Sequence, residues 1–138
     1  MIILDTNVLS DVMQSKDAVA AWLDRQQRSS LWTTSISIFE IRYGLTVMPS
    51  GRRRSGQEAA FNQLIDDKLE RRVLVFDEAA AAEAAALMAR RHLAGTPRDL
   101  RDTMIAGIAL AQRATLATRN TRHFDDLTVP VVDPWQRQ

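Results

Sequence analysis

The sequence predicts an α/β fold: a compact three-layer α/β/α sandwich around a short, mainly parallel sheet. Three observations lead there. Short apolar runs alternate with stretches of helical periodicity along the 138 residues, the pattern of strand–helix–strand units covered by helices on both faces. The opening run Met1-Ile2-Ile3-Leu4 is continuous rather than alternating, as in a buried central strand. It stops abruptly at Asp5-Thr6-Asn7, so polar side chains are delivered at a strand's carboxyl end, the edge where open parallel sheets place ligands.

The elements follow in order. Val8 to Met13 reads as a short helix with Asn7 as its N-cap. Asp17 is a second cap, ahead of a helix whose Val19, Trp22 and Leu23 form an apolar stripe up to about Gln27. Leu31–Thr34 is a second strand. Ser35 or Ser37 opens the next helix, whose Ile38, Phe39, Ile41, Leu45 and Met48 supply a broad apolar face before Pro49-Ser50-Gly51 ends it. Gly51 to Gly56, with Arg52-Arg53-Arg54 inside, reads as a basic loop, and Ala60, Phe61, Leu64, Ile65 and Leu69 mark another amphipathic helix.

Val73–Phe76 is a third strand, followed by Asp77 as N-cap of an alanine-rich helix to about Leu93, broken at Gly95-Thr96-Pro97. Leu100 to Ala111 is the next helix and Thr115–Thr118 the fourth strand. Val129–Val132 is the last strand, and its internal proline assigns it to an edge. Gly44 and Gly107 sit inside helices at a cost of roughly 1 kcal/mol each against alanine, which close packing or ligand approach would offset. No linker or repeat interrupts the chain, and residues 1–138 are expected to form one domain.

Composition excludes several function classes. Cysteine is absent, so there is no thiol nucleophile, thiolate metal site or disulfide framework, which fits a reducing compartment. No leader-like or membrane-spanning run is present, and a cytoplasmic protein without membrane association is expected. With 18 Lys+Arg against 17 Asp+Glu the net charge is +1, too balanced for a bulk nucleic-acid binder but compatible with an acidic pocket beside basic rims.

Three acids fall where this topology focuses side chains. Asp5 ends the first strand, Glu40 lies in the first turns of the helix after the second, and Asp102 lies near the start of the helix before the fourth; Asn120 follows that fourth strand. Carboxylates sharing one small volume disfavour one another unless a cation intervenes. Oxygen ligands without histidine or cysteine indicate a hard ion, Mg²⁺ or Mn²⁺, and the chemistry that follows is phosphodiester hydrolysis by metal-activated water. Thr6 and Asn7 are placed to hold waters or a phosphate oxygen near the N-terminus of the first helix. Plainer readings stand beside these. Asp5 can cap a helix, Ser37 and Glu40 have capping-box spacing, Asp99 and Asp102 can be N-cap and N3 of one helix, and Asn120 can be a turn residue. Arg42 and the Arg52–Arg54 cluster are rim or backbone contacts, or solvated. Trp22, Trp32 and Trp135 look like packing residues, and His123 like a turn or rim contact.

With ILDTNVLSD at 3–11, SIFEIRYGL at 37–45, RDTMIAGIALAQRATLATRNTRHF at 101–124 and VPVVDPW at 129–135, the chain resembles the PIN-domain family, and within it the VapC-type toxins of bacterial type II toxin–antitoxin systems. The resemblance covers essentially the whole chain. It implies an Mg²⁺- or Mn²⁺-dependent endoribonuclease that cuts structured RNA such as tRNA or rRNA, leaving a 5′-phosphate and a 3′-hydroxyl. It also implies a homodimer, silenced by a cognate antitoxin in a higher-order complex, with operator DNA bound only through the antitoxin. By position, Asp5, Glu40 and Asp102 match the family's acidic, metal-holding triad. Thr6 matches the hydroxyl residue beside the first aspartate, and Asn120 the fourth site. Asn120 is neutral where some members carry aspartate, so one firmly held ion is expected, with a second recruited only alongside substrate.

Other functions remain open on the sequence: a housekeeping RNA or DNA nuclease of the same fold, or a non-catalytic module keeping an acidic pocket for a cationic partner. A phosphatase-like enzyme would want a second aspartate two residues after the first, where Asn7 stands.

Overall fold

The computed structural model describes residues 1–136, apart from the side chain of Asp17. Five strands, β1 (Ile2–Leu4), β2 (Leu31–Thr34), β3 (Val73–Leu74), β4 (Thr115–Ala117) and β5 (Val131–Val132), form one sheet in the order β3-β2-β1-β4-β5. Every pairing is parallel, with Ile2 opposite both Leu31 and Thr115, and Leu4 opposite Ala117. The helices are α1 (Thr6–Met13), α2 (Asp17–Asp24), α3 (Ser35–Val47), α4 (Arg52–Gln63), α5 (Glu78–Leu93) and α6 (Leu100–Gln112).

β1 is the pivot of this order. The chain leaves it for β2 and β3 on one side, then returns through α5 and α6 to lay β4 against its other side. The crevice beyond the carboxyl ends of β1 and β4 is therefore a topological switch point, where such sheets hold ligands.

The central strands β1, β2 and β4 are buried on both faces, and the edge strands β3 and β5 are half-buried. Leu4 and Ala117 face the core beneath α1–α4, where Val8, Leu9, Trp22, Ile41 and Phe61 pack. Their neighbours Ile3 and Leu116 face the opposite core, with Ile105, Ile108 and Leu87 of α5 and α6. Two cores around one parallel sheet make the three layers the sequence predicts.

The structure revises several boundaries. Helix α1 starts at Thr6, and its N-cap is Asp5, which accepts from the Thr6 amide; Asn7 lies inside the helix. Helix α2 begins at Asp17 with Lys16 at the cap position, so the capping role expected of the Asp17 side chain falls outside the described residues. Thr34 rather than Ser37 caps α3, accepting from the Ser37 amide, and this removes the capping-box reading of Glu40.

Arg52–Arg54 are the first turn of α4 instead of a loop: Gly51 takes the cap position at φ 150°, and arginine is a good helix former. The helix ends in a π-helical turn, Leu64–Lys68, which swings the chain toward β3. The third and fifth strands are shorter than the apolar runs suggest, two residues each, because only those residues find ladder partners.

On α3, Phe39 points out of the core. It is 58% exposed and forms a stripe with Tyr43 (59%) and Val47 (63%).

The two mid-helix glycines differ. A Cβ on Gly107 would stand 2.5 Å from the Ala80 carbonyl oxygen and 2.7 Å from the Ala84 Cβ, so α5 and α6 meet at alanine–glycine distance. A Cβ on Gly44 would meet nothing within 4 Å, so internal packing does not account for it. Gly107→Ala is expected to destabilise the fold by roughly 1–3 kcal/mol or more, whereas Gly44→Ala is expected to stabilise it by up to about 1 kcal/mol. Denaturant unfolding of both variants checks the contrast, and a neutral Gly107→Ala would contradict the close helix contact.

Candidate active site

The site is built from the residue that ends β1. Asp5 is 3% exposed because the β1–β4 ladder continues to it, its amide donating to the Ala117 carbonyl at 3.0 Å. Its carboxylate is held on both oxygens. Oδ1 accepts from the Thr6 amide at 2.8 Å. Oδ2 accepts from Thr118 Oγ1 at 2.7 Å and from Asn7 Nδ2 at 3.4 Å. Burial pushes the Asp5 carboxyl up to about 6; the hydrogen bonds from Thr118 and Thr6 oppose that rise, and the charges of Asp102 and Glu40 add to it.

Glu40 reaches the same place from α3. Thr6 Oγ1 donates to Glu40 Oε1 at 2.9 Å and lies 2.9 Å from Ser37 Oγ, so the first turns of α1 and α3 are joined through one hydroxyl. Asp102 arrives from the first turn of α6. Its amide donates to Asp99 Oδ1 at 3.0 Å, confirming Asp99 as the N-cap, and its Oδ2 accepts from His123 Nδ1 at 2.9 Å.

Asn120 stands at the rim, its amide donating to Thr118 Oγ1 at 3.1 Å. All five residues singled out in the sequence (Asp5, Thr6, Glu40, Asp102 and Asn120) line one open groove of about 390 Å³. Asp5 thus caps a helix and also lines the groove, so the capping role does not remove it from the candidate site.

Several residues in the groove or directly beneath it escaped the sequence reading. Thr118 sits beside Asp5 because Leu4 pairs with Ala117, and that register was the available signal. Arg119 lays its guanidinium 4.7 Å from the Trp135 ring centroid, and its amide donates to Asn7 Oδ1 at 3.2 Å. Trp135, read as a packing residue, does pack against the core but also lines the groove. Asp11 lines it too, and its buried Oδ2 has no hydrogen-bond partner among the described residues. Arg42, expected near the rim, turns toward α4 instead, donating to Asn62 Oδ1 at 3.3 Å with its guanidinium 5.1 Å from the Phe61 centroid.

The donor set is all oxygen, as a hard cation prefers. Among the described residues no three carboxylates or histidines stand close enough to enclose an ion as placed. Mg²⁺ does not require such a cage, because it is usually held by one or two carboxylates and keeps several waters. The convergence of Asp5, Glu40 and Asp102 on one groove fits a cation here: among the described residues the basic side chains within 4 Å of these carboxylates are Arg101, 3.9 Å from Glu40 Oε2, and His123 on Asp102, while Lys16 and Arg119 line the groove.

A carboxyl whose folded value is raised contributes stability below its unfolded value, near 4, and loses it as pH rises through about 6. Metal-free wild type is therefore expected to lose stability relative to Asp5→Asn between about pH 4 and pH 7, by roughly 3 kcal/mol at most. Thermal melts of both proteins in chelator across that range check this; a constant difference would contradict the buried, charge-crowded Asp5.

Residues 2–129 match the PIN domain family. The chain is 36% identical over 138 residues to the VapC ribonuclease Y4jK of Sinorhizobium fredii, with 99% of each chain covered. It is 32% identical over 137 residues to the toxin FitB of Neisseria gonorrhoeae, covering 98% of this chain and 99% of that one. Among solved structures, FitAB bound to an IR36 DNA fragment superposes with a TM-score of 0.89 at 31% identity, covering 100% of this chain and 98% of that one. DNA-bound VapBC from Salmonella typhimurium gives a TM-score of 0.82 at 25% identity, covering 96% and 97%. The chain belongs to the PIN-domain family, in the group of VapC-type toxins.

Proposed function

We propose that residues 1–138 act as one nuclease domain, an endoribonuclease toxin that hydrolyses RNA phosphodiester bonds with Mg²⁺, or Mn²⁺ in its place, and is neutralised by a cognate antitoxin. The observation that carries this reading is the convergence of Asp5, Glu40 and Asp102 on one open groove at the switch point of the sheet, with the Asp5 carboxyl raised chiefly by its burial and further by the charges of the other two. Asp5, Glu40 and Asp102 would hold the ion, and Asn120 and Thr6 complete the site. When bound, the ion supplies Lewis-acid activation of water and of the phosphate.

The remaining work falls to this chain's own groups. Thr118 and the Thr6 amide fix both oxygens of Asp5, so it needs no reorganisation as charge builds on the phosphate. Thr6 holds Glu40 Oε1 and leaves Oε2 toward the weak contact with Arg101. The guanidinium of Arg119 and the side-chain amide of Asn120, both on the exposed rim, suit the flanking phosphates of a polynucleotide that lies across the groove. Attack by water on phosphorus with loss of the 3′-oxygen leaves a 5′-phosphate and a 3′-hydroxyl. The neutral Asn120 supports one firmly held ion per chain, with a second joining only alongside substrate.

The partner reading draws on relatives that were solved as two-component assemblies bound to DNA. By that likeness an antitoxin covers the groove, and operator DNA is contacted only through it. The exposed Phe39–Tyr43–Val47 stripe supports a homodimer, because a contiguous apolar helix face is a favourable surface to bury against a second copy. No helix among the described residues is long and apolar enough to cross a membrane, and the reading places the toxin's action on tRNA or rRNA in the cytoplasm.

Induced expression of wild type and Asp5→Asn, with mapping of new 5′-phosphate ends, tests the proposal. Wild type is expected to arrest growth with discrete cuts in tRNA or rRNA. Asp5→Asn should lose more than about 100-fold of the cleavage rate, beyond what loss of an outer-sphere partner costs. Equal toxicity of the two proteins would contradict a catalytic role for the groove.

A further inference from the structure

Asp102 is held from outside its own helix. His123, in the 3₁₀ turn Thr121–Phe124 after β4, donates from Nδ1 to Asp102 Oδ2 at 2.9 Å. That contact leaves Oδ1 without a hydrogen-bond partner among the described residues. The turn does not hang free. The His123 carbonyl accepts from Arg91 at 3.2 Å, and Arg91, on α5, is only 3% exposed.

Arg91 grips the Asp126 carboxylate with two nitrogens, at 2.9 Å on each oxygen, and donates to Thr103 Oγ1 at 3.1 Å. Thr103 adjoins Asp102, and its hydroxyl donates on to the Asp99 carbonyl at 2.8 Å. The Arg91 hydrogen bond, against some opposition from burial, holds the Asp126 carboxyl below its ordinary range, so this carboxylate stays ionised through neutral pH. One buried guanidinium thus fixes both the first turn of α6, which carries Asp102, and the turn that carries His123. Lysine could not do this, because a single ammonium lacks the planar fork that spans the carboxylate while reaching two further acceptors.

We propose that His123 is a positioning residue for Asp102, seated by the buried Arg91 anchor, and that it holds this carboxylate toward the groove for a divalent cation. The proposal rests on the metal reading of the groove given above. The physical need is plain. Asp102 lies at the rim, repelled by Glu40 and Asp5, and its free side chain would turn to solvent. A donor on its outer oxygen keeps the other oxygen available, and loss of such an outer-sphere partner typically weakens metal affinity 10–100-fold. His123 touches neither substrate nor ion in this arrangement, so its effect is read in affinity.

The test is a Mn²⁺ titration of the full chain, with free ion followed by electron paramagnetic resonance. Wild type is expected to bind one ion. His123→Ala, at a side chain 52% exposed and so tolerated by the fold, should weaken affinity about tenfold or more. His123→Asn, which restores a donor near the Nδ1 position, should recover most of that loss. His92→Ala, an exposed histidine on α5, should match wild type. Affinity of His123→Ala within about twofold of wild type overturns the positioning role. If wild type itself binds no Mn²⁺, the metal reading fails and takes this proposal with it.

Discussion

The structure depends on one constraint: a carboxylate is buried at the carboxyl end of the central strand. Parallel pairing of β1 with β4 carries Asp5 into the ladder and sets Thr118 against it, so the acid meets solvent only through the groove it lines. Around it the fold supplies donors to both oxygens, and none of the ion pairs among the described residues includes it. Two further acids then approach from α3 and α6. Such an arrangement raises the energy of the empty protein. It is retained where an ion or cationic group from outside completes it, and this is the usual relation between a functional site and the stability of its scaffold.

The rest of the molecule reads as the means of holding that arrangement still. The alanine–glycine contact between α5 and α6 brings those helices close enough for Arg91 to reach across to Thr103 and to the turn after β4. On the other face, Thr34 caps α3 so that Ser37 and Glu40 meet Thr6 at the start of α1. Both layers of helices therefore act on the groove through their first turns, and helix N-termini face it from α1, α3 and α6. The two cores differ in character. The α1–α4 side includes Trp22 and Phe61, whereas the α5–α6 side sets alanines such as Ala80, Ala106 and Ala109 among Leu87, Ile105, Ile108 and Phe124.

Much of this was legible in the residues. The apolar runs marked β1 and β2 within a residue, Asp77 and Asp99 were identifiable as helix caps, and strand–helix alternation led to the parallel sheet. The acids were found because a strand end and two helix starts are where such a sheet focuses side chains. What escaped was decided by tertiary contacts. Asp5 and Asn7 are both good caps, and only the ladder partner of Asp5 chose between them. Ile38 and Phe39 are adjacent and equally apolar, so helical periodicity alone could not tell which one faces solvent. A run of three arginines between glycines looks like a loop until Gly51 is seen to open a helix. Thr118 and His123 act through partners more than a hundred and about twenty residues away, distances at which local pattern carries no signal.

The central claim is that Asp5 is a crowded, partly protonated acid which a cation releases. The most direct measurement is proton release during Mg²⁺ titration of the weakly buffered protein at pH 6 and at pH 8. With the Asp5 carboxyl near 6, roughly half a proton should leave per ion bound at pH 6, and close to none at pH 8. Binding at pH 6 without proton release, or no binding at either pH, would contradict the account.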